Sequence, residues 1–528
     1  DFCLSRGLGD VYKRQLLEIV PGSWTEPDLV EFLMRFYEQI GKVPIRVKSR
    51  YGFAVDPIFE GLFLAAALIV QDGIASLKEV DAIAQRALGQ GVGPFTAMNL
   101  TGGNPITQHG LNEMKAAIMP WFSSPRLMDD QIASGKPWET AGRDERVEYS
   151  EETFEAVSTK LKGAFFGLAC EVLNSGITSI GDLEMAVEIG LVMKGPFAMM
   201  NEIGVERSLE LVRGYTQESP GFKIPRILAD RAASGELWKI PYVFRKDEGE
   251  IAVVTIRRPK VLNALNSTVI EDLREVFTNI REDKRIKGAV LTGFGTRAFV
   301  SGADITELAA LKTPKEGEAF SLRGKEVFDL IEGLGKPVIC AMNGLAFGGG
   351  CELAMACTAR IALKGLKVLA GQPEPKLGII PGYGGTQRLP RLVGFENAWE
   401  MLRTGNPVSS QRAREIGLIQ KEVERDLLDE AISLTKRAIS GEVTLSQIEK
   451  GAIKVPSSLP EVDIGQLSKK TDELMRKAIL GGAKLSLTEG LKHEARTFGE
   501  CLLTRDMRIG MENFIKFGPK KPAEFVHA

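Results

Sequence analysis

The sequence predicts an all-α region followed by an α/β region within one chain. Three observations carry this reading. A helical segment recurs after about a hundred residues, short apolar runs alternate with helical patterns beyond Trp238, and 528 residues exceed what a single hydrophobic core organises.

The first stretch, Asp1 to Gln15 (DFCLSRGLGDVYKRQ), has neither helical nor strand periodicity and joins abruptly to LLEIVPG. It is expected to be an unmatched leader on a fragment, a plain disordered terminus being the alternative. Pro27 to Ile40 has an amphipathic helical pattern, and Lys42 to Lys48 (KVPIRVK) alternates as a strand does. The repeat follows. Gly73-Ile74-Ala75-Ser76 through Gly93-Pro94-Phe95 matches Gly176-Ile177-Thr178-Ser179 through Gly195-Pro196-Phe197, with a one-residue slip. Two units fall short of a solenoid, which needs at least three short repeats, so a duplicated helical domain is expected, joined by a polar stretch around Asp129 to Glu152. His109, in TGGNPITQHG, reads as a loop residue, and Trp121, Trp138 and Trp238 read as packing residues.

Beyond Trp238, the runs Ile251–Ile256, Gly288–Thr292, Pro337–Met342 and Ala359–Leu363 fit buried strands separated by helices. That alternation predicts largely parallel pairing. From Asn397 the pattern is helical to the end, with a polar interruption from Val455 to Gly465.

Composition narrows the function classes. A formal net charge of −2 with 26% charged residues gives no field that would draw nucleic acid or acidic lipid. The longest apolar run, Gly61 to Val70, is about half a membrane span. Six scattered cysteines lack metal-type spacing, so a metal site is not expected and a reducing, cytoplasmic setting is.

Three motifs carry chemistry. In Gly348 to Cys357 (GGGCELAMAC), glycines enter a helix whose first N–H groups have no internal partner, and Glu352 sits in its first turn. Each well-placed N–H of this kind stabilises a developing oxyanion by roughly 3–4 kcal/mol. Ser301 to Leu308 (SGADITEL) offers a second turn at Gly302-Ala303, with Asp304 placed to cap the next helix. Ala370 to Pro390 places Glu374 before a Gly/Pro-rich loop and a helix. Each motif alone has a bland reading: a dipole-complementing Glu352, a capping Asp304, a solvated Glu374. Two carboxylates facing one cavity, by contrast, hold a water between them, one taking its proton while the other donates to carbon.

Together SGADI, GGGCELAM and GQPE…IPGYGGTQRL resemble the enoyl-CoA hydratase/isomerase (crotonase) superfamily, as do KVLNALN (Lys260 to Asn266), Thr404 to Val423 and the C-terminal FGECLLTRDMRIGMENFIKFGPKKPAEF, over Tyr242 to His527. The resemblance implies a superhelix of ββα repeats, with a core over 239–425 and a C-terminal helical region over 426–528, assembled as a trimer-based homo-oligomer. It implies that Ala303 and Gly349 N–H groups bind an acyl-CoA thioester oxygen, that Glu352 activates water, and that Glu374 protonates the α-carbon. Lys260 is the candidate contact to the CoA nucleotide, a solvated surface lysine being the other reading. Glutamate at both positions looks like a hydratase of fatty acid β-oxidation. An isomerase, an acyl-CoA lyase and a non-catalytic remnant stay open as alternatives.

The earlier half resembles the 3-hydroxyacyl-CoA dehydrogenases, through LLEIVPGSWT, SRYGFAVDPIFEGLF and the repeat. The expected division is a remnant of the NAD-binding domain over 16–49 and two copies of the helical C-terminal domain, over 50–145 and 146–238. Dehydrogenase followed by hydratase looks like one class of bifunctional β-oxidation protein. Glu18 matches that family's glutamate, but the partner histidine, expected near Arg6, is missing. No histidine precedes His109, no strand–GxGxxG–helix is present, and Asp56 replaces an asparagine. Hydration would need no cofactor, coenzyme A being part of the substrate, and NAD is expected only in a longer parent.

Overall fold

A computed structural model describes residues 15–101, 104–142 and 144–528, in two compact units, 1–241 and 242–528. All but the last residue of the leader lies outside the described residues, as does the position near Arg6.

The first unit opens with strand β1 (Leu16–Ile19), a helix (Pro27–Gln39) and strand β2 (Val43–Arg46), the two strands pairing in parallel. The remainder is helical, and the repeat in the sequence is a repeat in space. Ser76 caps the helix Leu77–Leu88, and Ser179 caps Ile180–Gly190. One turn into the first of these helices, Asp81 accepts from Phe95 and Thr96 N–H at 2.8 and 3.0 Å. In the other copy, Glu184 accepts from Phe197 and Ala198 N–H at 2.9 and 3.0 Å. Each copy closes on a tryptophan. Asn99 exchanges side-chain–backbone hydrogen bonds with Trp138, as Asn201 does with Trp238. Phe95 meets Trp138 edge-on at 4.9 Å and Phe197 meets Trp238 at 5.1 Å. The two copies pack together through the helices Asp56–Gln71 and Glu151–Asn174, where Gly61 leaves room for Leu168.

One expectation about this unit is corrected. His109 lies in the helix Asn104–Ala117 rather than a loop, because Pro105 occupies the first turn, where its missing N–H breaks no helical bond. The joining stretch is helical through Ser134, in the helix Arg126–Ser134.

The second unit is built on two sheets, parallel except for one antiparallel edge strand of the larger one. Strand β3 (Val243–Glu248) forms a hairpin with β4 (Ile251–Ile256); β5 (Gly288–Gly293), β6 (Ala298–Val300), β7 (Val338–Met342), β8 (Leu345–Phe347), β9 (Ala359–Leu363), β10 (Ala370–Gly371) and β11 (Lys421–Val423) follow. The larger sheet has the order β11-β9-β7-β5-β4-β3, the smaller β10-β8-β6. On β4, Ala252, Val254 and Ile256 join one core cluster and Ile251 and Val253 the other, so both faces are covered and the strand reads as an unbroken apolar run.

The short strands β6, β8 and β10 of the smaller sheet were not expected, nor were β3 and β11. The latter two are sheet edges: β3 carries Arg245, Lys246 and Asp247, and β11 is three residues long, so neither shows a buried-strand pattern. Past Ile439 the irregular segment runs to Ser468, wider than the interruption read from sequence.

The smaller sheet organises the site. Its strands β6, β8 and β10 end just before Ala303, Gly349 and Glu374 respectively. All three motifs therefore leave the carboxyl ends of neighbouring parallel strands, the end where open α/β sheets present their ligands.

Candidate active site

Ala303 is held between two backbone bonds, Leu265 N–H to Gly302 O at 2.9 Å and Asp304 N–H to Leu265 O at 2.8 Å. Gly302 takes φ +128°, a conformation L side chains rarely adopt, which turns the chain into this bracket. Asp304 caps the helix Ile305–Ala310 through Thr306 N–H and faces Arg258 at 3.4 Å. Opposite, the helix Gly349–Ala356 starts after Gly348. A β-carbon built on Gly349 would stand 3.4 Å from Ala303 N, so the two backbones approach closely. Gly348 N–H is used on Gly371 O and Glu352 N–H on Gly348 O, while Ala303 and Gly349 N–H groups have no protein acceptor among the described residues.

The two glutamates differ in how they are held. Glu352, 1% exposed, accepts from Tyr383 N–H at 2.7 Å and Gly385 N–H at 2.6 Å. Burial, followed by the neighbouring Glu494, pushes its carboxyl up to about 8, against the pull of those N–H donors and of Lys325. Glu374 is buried at the start of a single 3-10 turn, Glu374–Leu377, and is not the solvated loop residue of its bland reading. Burial, then Glu352, raise its carboxyl well above the ordinary range. With the Gln372 amide nitrogen facing it, that group donates to both Glu374 oxygens at 3.2 and 3.3 Å. Glu352, with two backbone donors, is the better stabilised as an anion; Glu374 is the better proton reservoir.

Lys260, Ala303, Gly349, Glu352 and Glu374 line one cavity of about 970 Å³. Lys260 is exposed there, in the short 3-10 turn Pro259–Val261. The structure adds residues that sequence reasoning missed. Tyr383 packs its ring against Gly349 and stacks on Phe320 at 5.6 Å, giving the cavity an aromatic wall. Glu494 and Lys325 lie behind the loop that holds Glu352. Glu494 sits on an amphipathic helix whose sequence looks like a solvated surface, and only its zero exposure marks it out.

Glu18 belongs to the other unit. It accepts from Ala54 N–H at 2.9 Å, and burial raises its carboxyl to about 7 despite that bond, with Asp56 adding to the rise. The turn from β1 into the following helix carries one glycine, Gly22, and places Glu26 at the N-cap. Among the described residues no group of three or more His, Cys, Asp or Glu is arranged to hold a metal ion. No described helix is long and apolar enough to cross a membrane.

Comparison with known proteins gives three family matches. The family model for enoyl-CoA hydratase/isomerase matches residues 246–469. The model for the C-terminal domain of 3-hydroxyacyl-CoA dehydrogenase matches 52–143, and that for its NAD binding domain matches 9–50. A short-chain-enoyl-CoA hydratase of Clostridium acetobutylicum is 39% identical over 52% of this chain and 94% of its own length. A crotonyl-CoA hydratase of Syntrophomonas wolfei is 37% identical over 54% of this chain and 97% of its own. A fatty acid oxidation complex subunit alpha from Shewanella frigidimarina is 42% identical over 37% of this chain, a match that spans 27% of that subunit.

Proposed function

We propose that this chain, which belongs to the enoyl-CoA hydratase/isomerase family, adds water across the 2,3 double bond of an enoyl-CoA to give a 3-hydroxyacyl-CoA. The observation that carries this is the meeting of two buried carboxylates and two N–H groups without protein acceptors in one cavity.

In this reading the thioester oxygen lies between Ala303 and Gly349, whose N–H groups stabilise the enolate as it forms. Glu352 takes a proton from water as the oxygen bonds to carbon 3, and Glu374 gives its proton to carbon 2. The different environments of the two glutamates support this assignment: Glu352, held by the backbone N–H groups of Tyr383 and Gly385, suits the base, and Glu374, whose carboxyl burial and Glu352 raise well above the ordinary range, suits the acid. An isomerase moves a proton between two carbons and needs one carboxyl; the second buried carboxylate favours the hydratase. Lys260, exposed at the cavity, is proposed to contact the CoA nucleotide.

The first unit places dehydrogenase-family segments ahead of this domain. We take the pair as a hydratase joined to the next enzyme of fatty acid β-oxidation, the partner that would use NAD. A trimer-based homo-oligomer and a cytoplasmic location are parts of the same proposal, the latter consistent with the free, buried cysteines among the described residues.

The test is to incubate purified protein with crotonyl-CoA and identify the product. Formation of 3-hydroxybutyryl-CoA is expected. Double-bond migration in a 3-enoyl-CoA with no hydrated product overturns the reading in favour of the isomerase.

A further inference from the structure

The loop Tyr383-Gly384-Gly385-Thr386 has its N–H groups divided alternately between two buried carboxylates. Tyr383 and Gly385 donate to Glu352, at 2.7 and 2.6 Å. Gly384 and Thr386 donate to Glu494, at 2.7 and 2.8 Å, and the Thr386 hydroxyl bonds the same carboxylate. Each successive amide thus points to the opposite side from the one before it. Lys325, 2% exposed, holds Glu494 from behind, with Nζ 3.0 Å from the carboxylate and 2.6 Å from Leu491 O. Three helices meet in this way: Pro314–Glu332 supplies Lys325, Leu487–Cys501 supplies Glu494, and the loop opens Gly385–Val393.

We propose that Glu494, braced by Lys325, is a positioning residue for hydration, fixing the loop whose N–H groups aim and charge-stabilise Glu352. This inference rests on the hydratase reading above. Glu494 cannot act on substrate directly: it is fully buried and absent from the cavity lining, and the loop lies between it and Glu352. Were its grip released, Gly384 and Gly385 would let the loop turn, taking both of Glu352's donors with it. A buried lysine–glutamate pair with no solvent contact is expensive to build, so its place behind the reactive carboxylate calls for a use beyond stability.

Glu494 has a second effect, on the charge of Glu352. Glu494 raises the Glu352 carboxyl and Lys325 lowers it, within an environment that also holds Glu374, Tyr383 and, behind the loop, Arg388 paired with Asp329 and Glu332. Removing Lys325 therefore moves the titration of Glu352 upward, whereas removing Glu494 takes away its charge and, with the loop's grip, the N–H donors that oppose it.

The test is a double-mutant cycle read with crotonyl-CoA. Glu494→Gln keeps the size but leaves an amide N–H facing backbone donors. Its kcat is expected to fall about 10–50-fold with KM changed less than about threefold, in the range of a misplaced acid–base group. The pH–kcat limb of Lys325→Met moves to higher pH, because loss of the lysine charge and slackening of the loop both raise the Glu352 carboxyl. In the Glu352→Gln background, Glu494→Gln should add little further loss, because its effect runs through Glu352. Losses that multiply, with an unmoved Lys325→Met limb, overturn the proposal and leave the pair a structural one. If Glu494→Gln does not fold, Lys325→Met and the matching cycle carry the same decision. A wild-type protein without hydration refutes the hydratase reading itself before any variant is compared.

Discussion

Glu374 Oε1 lies against the α-carbon of Gly348: a β-carbon at that position would stand 2.5 Å from the oxygen. Gly348, which lies between β8 and the helix Gly349–Ala356, thus also sets where the Glu374 carboxyl sits. Gly348 has φ +48°, so its lack of a side chain meets two demands at once. Gly348→Ala is expected to displace the Glu374 carboxyl and lower hydration of crotonyl-CoA about 100-fold, at a stability cost of roughly 1–2 kcal/mol from backbone strain. Steady-state kinetics beside a thermal melt separate the two effects.

Stability of the first unit should depend on the protonation of Glu18. Its folded carboxyl is raised from 4.5 to about 7, so between those values the folded state keeps a proton that the unfolded chain has released. The group costs nothing below about pH 4.5, and its destabilisation grows through the window to about 3 kcal/mol above it. Glu18→Gln keeps an acceptor for Ala54 N–H and removes the titration. Urea unfolding should show the variant gaining on the wild type as pH rises from about 5 to about 8; a constant difference contradicts this.

The duplicated helical domains rest on equivalent buried acids. Asp81→Ala and Glu184→Ala each leave two backbone N–H groups at a helix start without their carboxylate. Each is expected to cost about 2–3 kcal/mol in denaturant unfolding. Because both positions perform the same task in their own copy, the two losses should be similar.

Dehydrogenase chemistry is not expected from the chain as it stands. Glu18, which matches the dehydrogenases' glutamate, is held by the Ala54 N–H and by burial rather than by a histidine. Purified protein should form no NADH from 3-hydroxybutyryl-CoA and NAD, and steady NADH production would contradict the reading.

Much of this was legible in the sequence because local chemistry and global fold agree. The four central strands were readable as unbroken apolar runs, since both faces of their sheet are buried. The helical repeat was readable through its serine caps and glycine–proline helix starts. Ala303, Gly349, Glu352 and Glu374 could be named together because each lies in a turn with its own signature. The edge strands β3 and β11 were not legible, since charge and brevity erase their pattern. Nor were Glu494 and Lys325, which are separated from Glu352 by 142 and 27 residues and look like ordinary charges on amphipathic helices. Their burial arises from tertiary packing, which no local window contains.

The central claim is that Glu352 and Glu374 together perform the hydration. Its most direct test is the rate of crotonyl-CoA hydration by Glu352→Gln and by Glu374→Gln, each checked for wild-type melting behaviour. The account expects each rate to fall at least about 100-fold, as loss of a positioned acid or base requires. Near-wild-type hydration by both folded variants would contradict it.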